Sequence, residues 1–156
     1  MIAVDNSGRM WSWGSDTGGR LGRDSANRPV PGLVQFPAGE YPTFLDLGVN
    51  ISQNSSHVLA ICDDFRLWTW GTNANGQLGD GSATNRYRPQ EVLIEGQSRR
   101  WRSANAGSNF SMAVAWAAGA EDGLIWAWGN NDFGQLGKNA PGNHSTPWRN
   151  PFNRTN

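Results

Sequence analysis

Two histidines and one cysteine, set among turn carboxylates, are what this 156-residue chain offers to acid–base, nucleophilic or metal chemistry. His57 and His144 lie far apart in sequence, and neither stands in a Ser–His–Asp, paired-carboxylate or nucleophile-elbow pattern, so no catalytic residue is assigned. His57, directly before "VLAI", reads as structural, and His144, in "APGNHSTP", reads as an exposed loop residue. Cys62 alone can form neither an internal disulfide nor a cysteine-rich zinc site. The glycines of "GTNANGQLGDG" (71–81) invite comparison with a phosphate cradle, but no lysine follows them in Walker fashion and no helix pattern opens after them. "DDF", "NNDFG" and "GDGS" carry oxygen ligands without the twelve-residue EF-hand spacing, and Asn, Asp and Gly are ordinary turn residues. No metal and no cofactor is assigned.

Charge narrows the partners. Lys plus Arg and Asp plus Glu are each 13, so no net field draws the chain to nucleic acid or to an anionic membrane. The cluster "RRWR" (99–102), with Arg86 and Arg88 nearby in sequence, therefore reads as a solvated loop. No run approaches the roughly 18 apolar residues of a membrane span, and "MIAVDNSG" lacks the form of a signal peptide. The chain reads as soluble, with its compartment open. Asn54, Asn109, Asn143 and Asn153 each begin an N-x-S/T sequon, but a chain this rich in Asn and Ser produces sequons by chance.

The stronger signal is structural. Twenty glycines and nine tryptophans, with few helix-forming runs, point to an all-β protein of short strands. The tryptophans repeat: "WSWGSDTGGRLG" (11–22), "WTWGTNANGQLG" (68–79) and "WAWGNNDFGQLG" (126–137) all fit W-x-W-G-x4-G-x-L-G. The fixed positions are Trp11, Trp13, Gly14, Gly19, Leu21 and Gly22 in the first copy. Trp68, Trp70, Gly71, Gly76, Leu78 and Gly79 match them in the second, and Trp126, Trp128, Gly129, Gly134, Leu136 and Gly137 in the third. A spacing of 57 and 58 residues marks a repeat architecture.

Four short strands can be read in each unit. "IAV" (2–4), "LAI" (59–61) and "MAV" (112–114) are apolar strands before the motif, the third separated from it by five extra residues within "AAGAEDG" (117–123). A proline-led strand follows, as in "VPGLVQF" (30–36) and "RPQEVLI" (88–94), with proline at a strand start or an edge, where its missing N–H costs no ladder bond. "PWRNPF" (147–152) is a poorer version with a second proline. "FLDLGVN" (44–50) and "WRSANAG" (101–107) read as a fourth strand. The chain is thus one partial β-propeller domain of four-stranded blades, with units of about 1–43, 44–100 and 101–156, the first and last incomplete.

Residues two apart in a strand face one side, so each W-x-W is an aromatic ridge. A buried Trp removes about 150–250 Å² from water, roughly 4–6 kcal/mol as an upper bound, so such ridges suit blade-to-blade packing. The glycine after the ridge ends the strand, and the leucine pins the returning loop to apolar surface.

This motif in three copies, with an apolar strand before it and a proline-led strand after it, resembles the regulator of chromosome condensation repeat family. WD-type repeats are shorter, and a kelch-type glycine pair does not precede these strands. The resemblance implies a seven-bladed propeller used as a protein-binding platform, of which about three blades are present here. Such an arc reads as a fragment of a longer propeller, with self-association through open blade faces as the alternative. The leading expectation is a non-enzymatic scaffold binding a protein partner through loops that differ between copies. The candidate contact residues are Asp16, Arg20, Asn73, Asn75, Asn131, Asp132 and Phe133. Two alternatives follow from the resemblance: guanine-nucleotide exchange on a Ran-type small GTPase, and ultraviolet-B sensing of the plant photoreceptor kind. The arginine-linked G-W-R-H-T signature of those receptors is absent.

Overall fold

The computed structural model describes residues 1–24, 27–40, 42–51, 56–116 and 123–150. The first sheet holds β1 (Ile2–Val4), β2 (Met10–Gly14) and β3 (Arg28–Leu33) in chain order. The second holds β4 (Phe44–Ile51), β5 (Ser56–Cys62), β6 (Leu67–Gly71) and β7 (Arg86–Glu91). A hairpin of β8 (Leu93–Ile94) and β9 (Gln97–Ser98) leads to the third sheet: β10 (Arg100–Ala106), β11 (Phe110–Trp116), β12 (Ile125–Gly129) and β13 (His144–Arg149). All pairings are antiparallel. The strands read as fourth in the sequence, β4 and β10, pair with the strand that follows them.

The sheets stack in chain order. Alternation along β5 sends Val58, Ala60 and Cys62 toward the first sheet, where they join Ile2, Val4, Met10, Val34 and the Trp68–Trp70 ridge. Leu59 and Ile61 point the other way and meet Trp101, Ala113, Ala115 and Trp128 of the third sheet. One main-chain bond repeats in both seams: Phe44 N–H donates to Gly8 O at 3.1 Å, and Trp101 N–H to Phe65 O at 2.8 Å. Gly8 and Phe65 both have positive φ, 75° and 69°, a conformation glycine adopts freely and phenylalanine rarely.

Proline lies where the ladder tolerates it. Pro29 and Pro31, Pro89 and Pro147 all sit on the edge strands β3, β7 and β13. In each sheet the register slips at the second tryptophan of the ridge, between Ser12 and Gly14, Thr69 and Gly71, and Ala127 and Gly129.

Three expectations are corrected. The third strands are displaced from 30–36 and 88–94 to Arg28–Leu33 and Arg86–Glu91. In the second unit, Leu93 and Ile94 instead enter the hairpin, turned by Glu95 and Gly96 at φ 53° and 76°, the pair of positive values a two-residue hairpin loop needs. "RRWR" is not a solvated loop: residues 100–102 open β10, Trp101 is fully buried, and Arg100 and Arg102 lie over the rings of Phe65 and Trp116 at 4.4 and 5.8 Å. His144 is half-buried at the start of β13, its pKa lowered by burial and then by the Lys138 charge, rather than exposed in a loop. The five extra residues, apart from Gly123, the second proline of the last strand and the sequons at Asn54 and Asn153 lie outside the described residues.

Candidate interaction loops

Each loop after the ridge starts at a glycine with positive φ, and in the second and third copies backbone also crowds it. Gly71 and Gly129 have φ of 107° and 101°, and a Cβ there would lie 2.4 Å from Ser56 O and 2.6 Å from Asn109 O. The chain then turns back, and a side-chain carbonyl or carboxylate braces it from within. Asp16, Asn73 and Asn131 each accept the N–H of the loop leucine, Leu21, Leu78 or Leu136, at 2.9 Å through Oδ1. The Asn73 amide also donates to Ser82 O and Thr84 O at 3.1 Å, and the Asn131 amide to Lys138 O at 3.0 Å and Ala140 O at 2.7 Å. Asn73 and Asn131 are 0 % exposed and Asp16 8 %. These three, expected as contact residues, are therefore internal braces: each holds the loop backbone from within through its Oδ1.

The leucine carbonyl is satisfied in each copy. Ser12 and Thr69, the middle residues of their ridges, donate hydroxyls to Leu21 O at 2.6 Å and Leu78 O at 2.8 Å. The third copy has Ala127 at that place, and the Asn150 amide serves instead, donating to Leu136 O at 3.0 Å.

The ridge of one sheet locks onto the loop of the sheet before it. The Trp70 indole donates to Arg20 O at 3.1 Å, and the Trp128 indole to Gln77 O at 2.9 Å. Gly22 and Gly79 make room for these rings: a Cβ on either would approach the indole nitrogen to 2.8 Å. Arg20 and Gln77 occupy the variable place in G-x-L-G, so their carbonyls serve whatever their side chains do. Trp11 is held within its own sheet by Asp5, whose Oδ2 accepts the indole N–H at 2.8 Å; that bond draws the Asp5 pKa down to about 2. Trp13 and Trp126 are partly exposed.

The second seam carries a polar clamp that the first lacks. Ser111 Oγ donates to Gln77 O at 2.7 Å and sits 2.9 Å from His57 Nε2. The hydroxyl proton is committed to Gln77, so the imidazole is the donor and carries its proton on Nε2. His57 is 0 % exposed, and burial pushes its pKa down to about 4, so it is neutral at pH 7. At the first seam the place of Ser111 is taken by Val58, which has no hydroxyl.

What remains outward is a mixed rim. Arg20 is half-buried, bonding Ser56 Oγ at 3.2 Å and Ser15 Oγ at 3.3 Å. Asn75 reaches the next loop, its amide 3.3 Å from Asn143 Oδ1. Asp132 is exposed, and Phe133 is 94 % exposed. Sequence reasoning missed a second brace: Asn27 and Asn85 accept the N–H of Asp16 at 2.9 Å and of Asn73 at 2.8 Å, and Asn143 accepts from the Asn130 amide at 3.2 Å. The signal was legible, since an asparagine follows the last glycine of every motif by five or six residues.

The family model described as the regulator of chromosome condensation (RCC1) repeat matches residues 66–114 and 122–156. The chain belongs to the RCC1 repeat family. Human E3 ubiquitin-protein ligase HERC2 is 30 % identical over 148 residues, covering 94 % of this chain and 3 % of HERC2. The RCC2 homolog of Xenopus laevis is 30 % identical over 145 residues, 92 % of this chain and 26 % of that protein. Two solved structures share the fold: human WBSCR16, at TM-score 0.76 and 21 % identity, and yeast RCC1 (Prp20) bound to Kap60, at TM-score 0.76 and 20 % identity. This chain is covered to 96 % and 95 % by them, and spans 35 % and 34 % of those chains. The three sheets are thus about three blades of an RCC1-type β-propeller, and no helix among the described residues is long and apolar enough to cross a membrane.

Proposed function

We propose that the chain is a non-enzymatic scaffold of the RCC1 repeat type that binds a protein partner through the rim of its blade loops. The observation that carries this reading is the separation of roles within each loop. A fixed brace of Asp16, Asn73 or Asn131 and a buried leucine hold the backbone, while between them Arg20, Asn75, Asp132 and Phe133 stand at places that vary between copies and are partly or fully exposed. A loop whose conformation does not depend on its outward side chains is free to vary them for recognition at little cost in ordering on binding. The structure of Prp20 with Kap60, and that of Prp20p described for its binding to Gsp1p and histones, are consistent with protein partners for this family.

Cross-linking of the purified protein in its native extract, with Arg20, Asn75 and Asp132 exchanged together for alanine in parallel, is the direct experiment. Loss of the captured partner with unchanged thermal unfolding supports the reading; capture that survives the triple exchange rejects the rim as the contact surface. Guanine-nucleotide exchange on a Ran-type GTPase is the second reading, favoured by the Gsp1p-binding relative. Release of a labelled nucleotide from such a GTPase separates the two: the scaffold reading expects no acceleration.

A further inference from the structure

The two internal seams are made from one motif, but they treat the first tryptophan of the ridge differently. In the first and second blades that ring is stacked by the arginine two residues before it: Arg9 lies over Trp11 at 5.6 Å and Arg66 over Trp68 at 5.2 Å. A carboxylate holds each guanidinium, with Arg9 Nε donating to Asp5 at 2.9 Å and Arg66 Nε to Asp64 at 2.6 Å. Arg66 also spans the first seam, donating to Glu40 of the preceding blade at 2.7 Å. Trp68 is thereby closed off, at 2 % exposure. The third blade has Leu124 in the place of these arginines, and Trp126 is only partly buried. Among the described residues no cation lies over its ring, although Arg149 is its ladder partner.

Two further differences open the second seam. Phe36 packs edge-on against Trp68 at 5.3 Å, and its counterpart is the smaller Ile94. The match follows from two equivalent bonds, Val34 N–H to Met10 O and Val92 N–H to Leu67 O, each two residues earlier. Arg88 crosses the first seam to Asp24 at 2.8 Å, whereas the corresponding residues of the second seam are Thr146 and Gly81. A groove of about 670 Å³ results, lined by Trp126 and Pro147 on one side and by the β8–β9 hairpin on the other. Both walls belong to blades that meet within the chain. The carboxylates of the groove are Asp80, Glu91 and Glu95. Asp80 pairs with Arg86 at 2.6 Å, and Glu91 accepts from the Ser98 hydroxyl, with Arg66 3.8 Å away. Glu95 is exposed at the hairpin turn, and its carboxylate has no partner among the described residues. It lies in the segment after the third strand of its blade, as does Glu40, which takes Arg66 in the first seam.

We propose that this groove receives an arginine side chain from an extended segment of a protein partner, with the guanidinium flat on the Trp126 ring and its edge turned to Glu95. The first two blades already hold the same tryptophan between arginine and carboxylate, so the guest is recognised by chemistry the chain uses within itself. Arginine suits the site because its planar group stacks on an indole while its edge bonds a carboxylate, which a compact ammonium cannot do. The groove is larger than one side chain, and the exposed Leu93 and the ring of Pro147 offer apolar wall to the residues flanking the arginine. It lies apart from the rim of Arg20, Asn75 and Asp132, so occupation of the groove and binding at the rim are tested separately.

Heteronuclear NMR of the full chain tests this, with acetyl-Val-Arg-Val-amide as the probe. The indole N–H resonance of Trp126, identified by its loss in Trp126→Phe, should shift saturably as the peptide is added. The same peptide with citrulline or lysine in place of arginine should bind about threefold or more weakly, because one lacks the charge and the other the planar group. Glu95→Gln should weaken binding by about threefold. Thr146→Arg, which places a cation where Arg88 stands in the first seam, should weaken it further. Glu95 and Thr146 are exposed, so both variants are expected to fold, and thermal unfolding checks that they do. The proposal is overturned if the Trp126 resonance shows no saturable shift, or if the citrulline or lysine peptide binds as tightly as the arginine one. Affinity unchanged in Glu95→Gln and Thr146→Arg overturns it equally.

Discussion

The second and third blades are built from one motif with the same strand order, yet their side chains live in different surroundings. Every residue of β5 and β6 is buried, because a neighbour covers each face of the sheet. In β11 the burial alternates, with Ser111, Ala113 and Ala115 inside and Phe110, Met112 and Val114 partly open. The repeat motif therefore supplies a blade, but a residue's energetic weight comes from the seam it enters.

The largest test of that contrast exchanges the second tryptophan of the ridge. Trp70→Ala should destabilise the chain by about 3–5 kcal/mol in chemical denaturation, since it empties a fully buried site and strands the Arg20 carbonyl. Trp13→Ala, at the same motif position but half-open, should cost less than half of that in the same measurement.

The loop glycines sharpen the comparison. Gly79→Ala forces a methyl onto the Trp128 indole in addition to occupying φ 73°, and should cost about 2–4 kcal/mol. Gly134→Ala has φ 75° and open space around it, so only the backbone term of about 1–2 kcal/mol remains. Equal losses at the two sites would mean that the ring contact in the seam contributes nothing.

The polar clamp makes the second seam sensitive to acid. His57 titrates at about 4 in the folded chain and near 6.5 when exposed, with burial as the main cause. Between those values the unfolded chain binds a proton that the native one does not. Its contribution is complete above about pH 6.5 and is lost progressively as pH falls toward 4, amounting to roughly 3 kcal/mol. Urea unfolding at a series of pH values should show that slope, and His57→Phe, which installs the aromatic of the third blade's Phe110, should flatten it.

The smallest expected effect concerns the leucine carbonyl. Asn150→Ala leaves Leu136 O without its amide donor, at about 1–2 kcal/mol, and adding Ala127→Thr should restore most of the loss by supplying the hydroxyl that Thr69 gives Leu78. Additive losses in the double variant would show that the two devices are not equivalent.

Much of this architecture was legible because it is local and repeated. The ridge, the glycine after it and the buried leucine recur at fixed offsets, and their roles follow from strand alternation and turn stereochemistry. The loop side chains were read less well. Asp16, Asn73 and Asn131 have the composition of exposed turn residues, and only the distance from each Oδ1 to a leucine N–H reveals that they face inward. Trp101 reads both as the start of a fourth strand, 101–107, and within a solvated arginine cluster, 99–102, and only its burial, with Arg100 and Arg102 lying over neighbouring rings, separates the two readings.

The sequence by itself determined the unit: its period of 57 or 58 residues, its strands, and the frame of each loop, all carried by residues that recur at matching places in each copy. The tertiary structure decided which copy of each residue matters. Trp13 and Trp70 are identical in type and local setting, and they differ because one meets a neighbouring blade and the other does not. The same holds for Asn75 and Phe133, and for His57, whose partner Ser111 lies 54 positions away. Burial and hydrogen-bond partnership are properties of a seam between distant segments, and no local pattern of residues contains them.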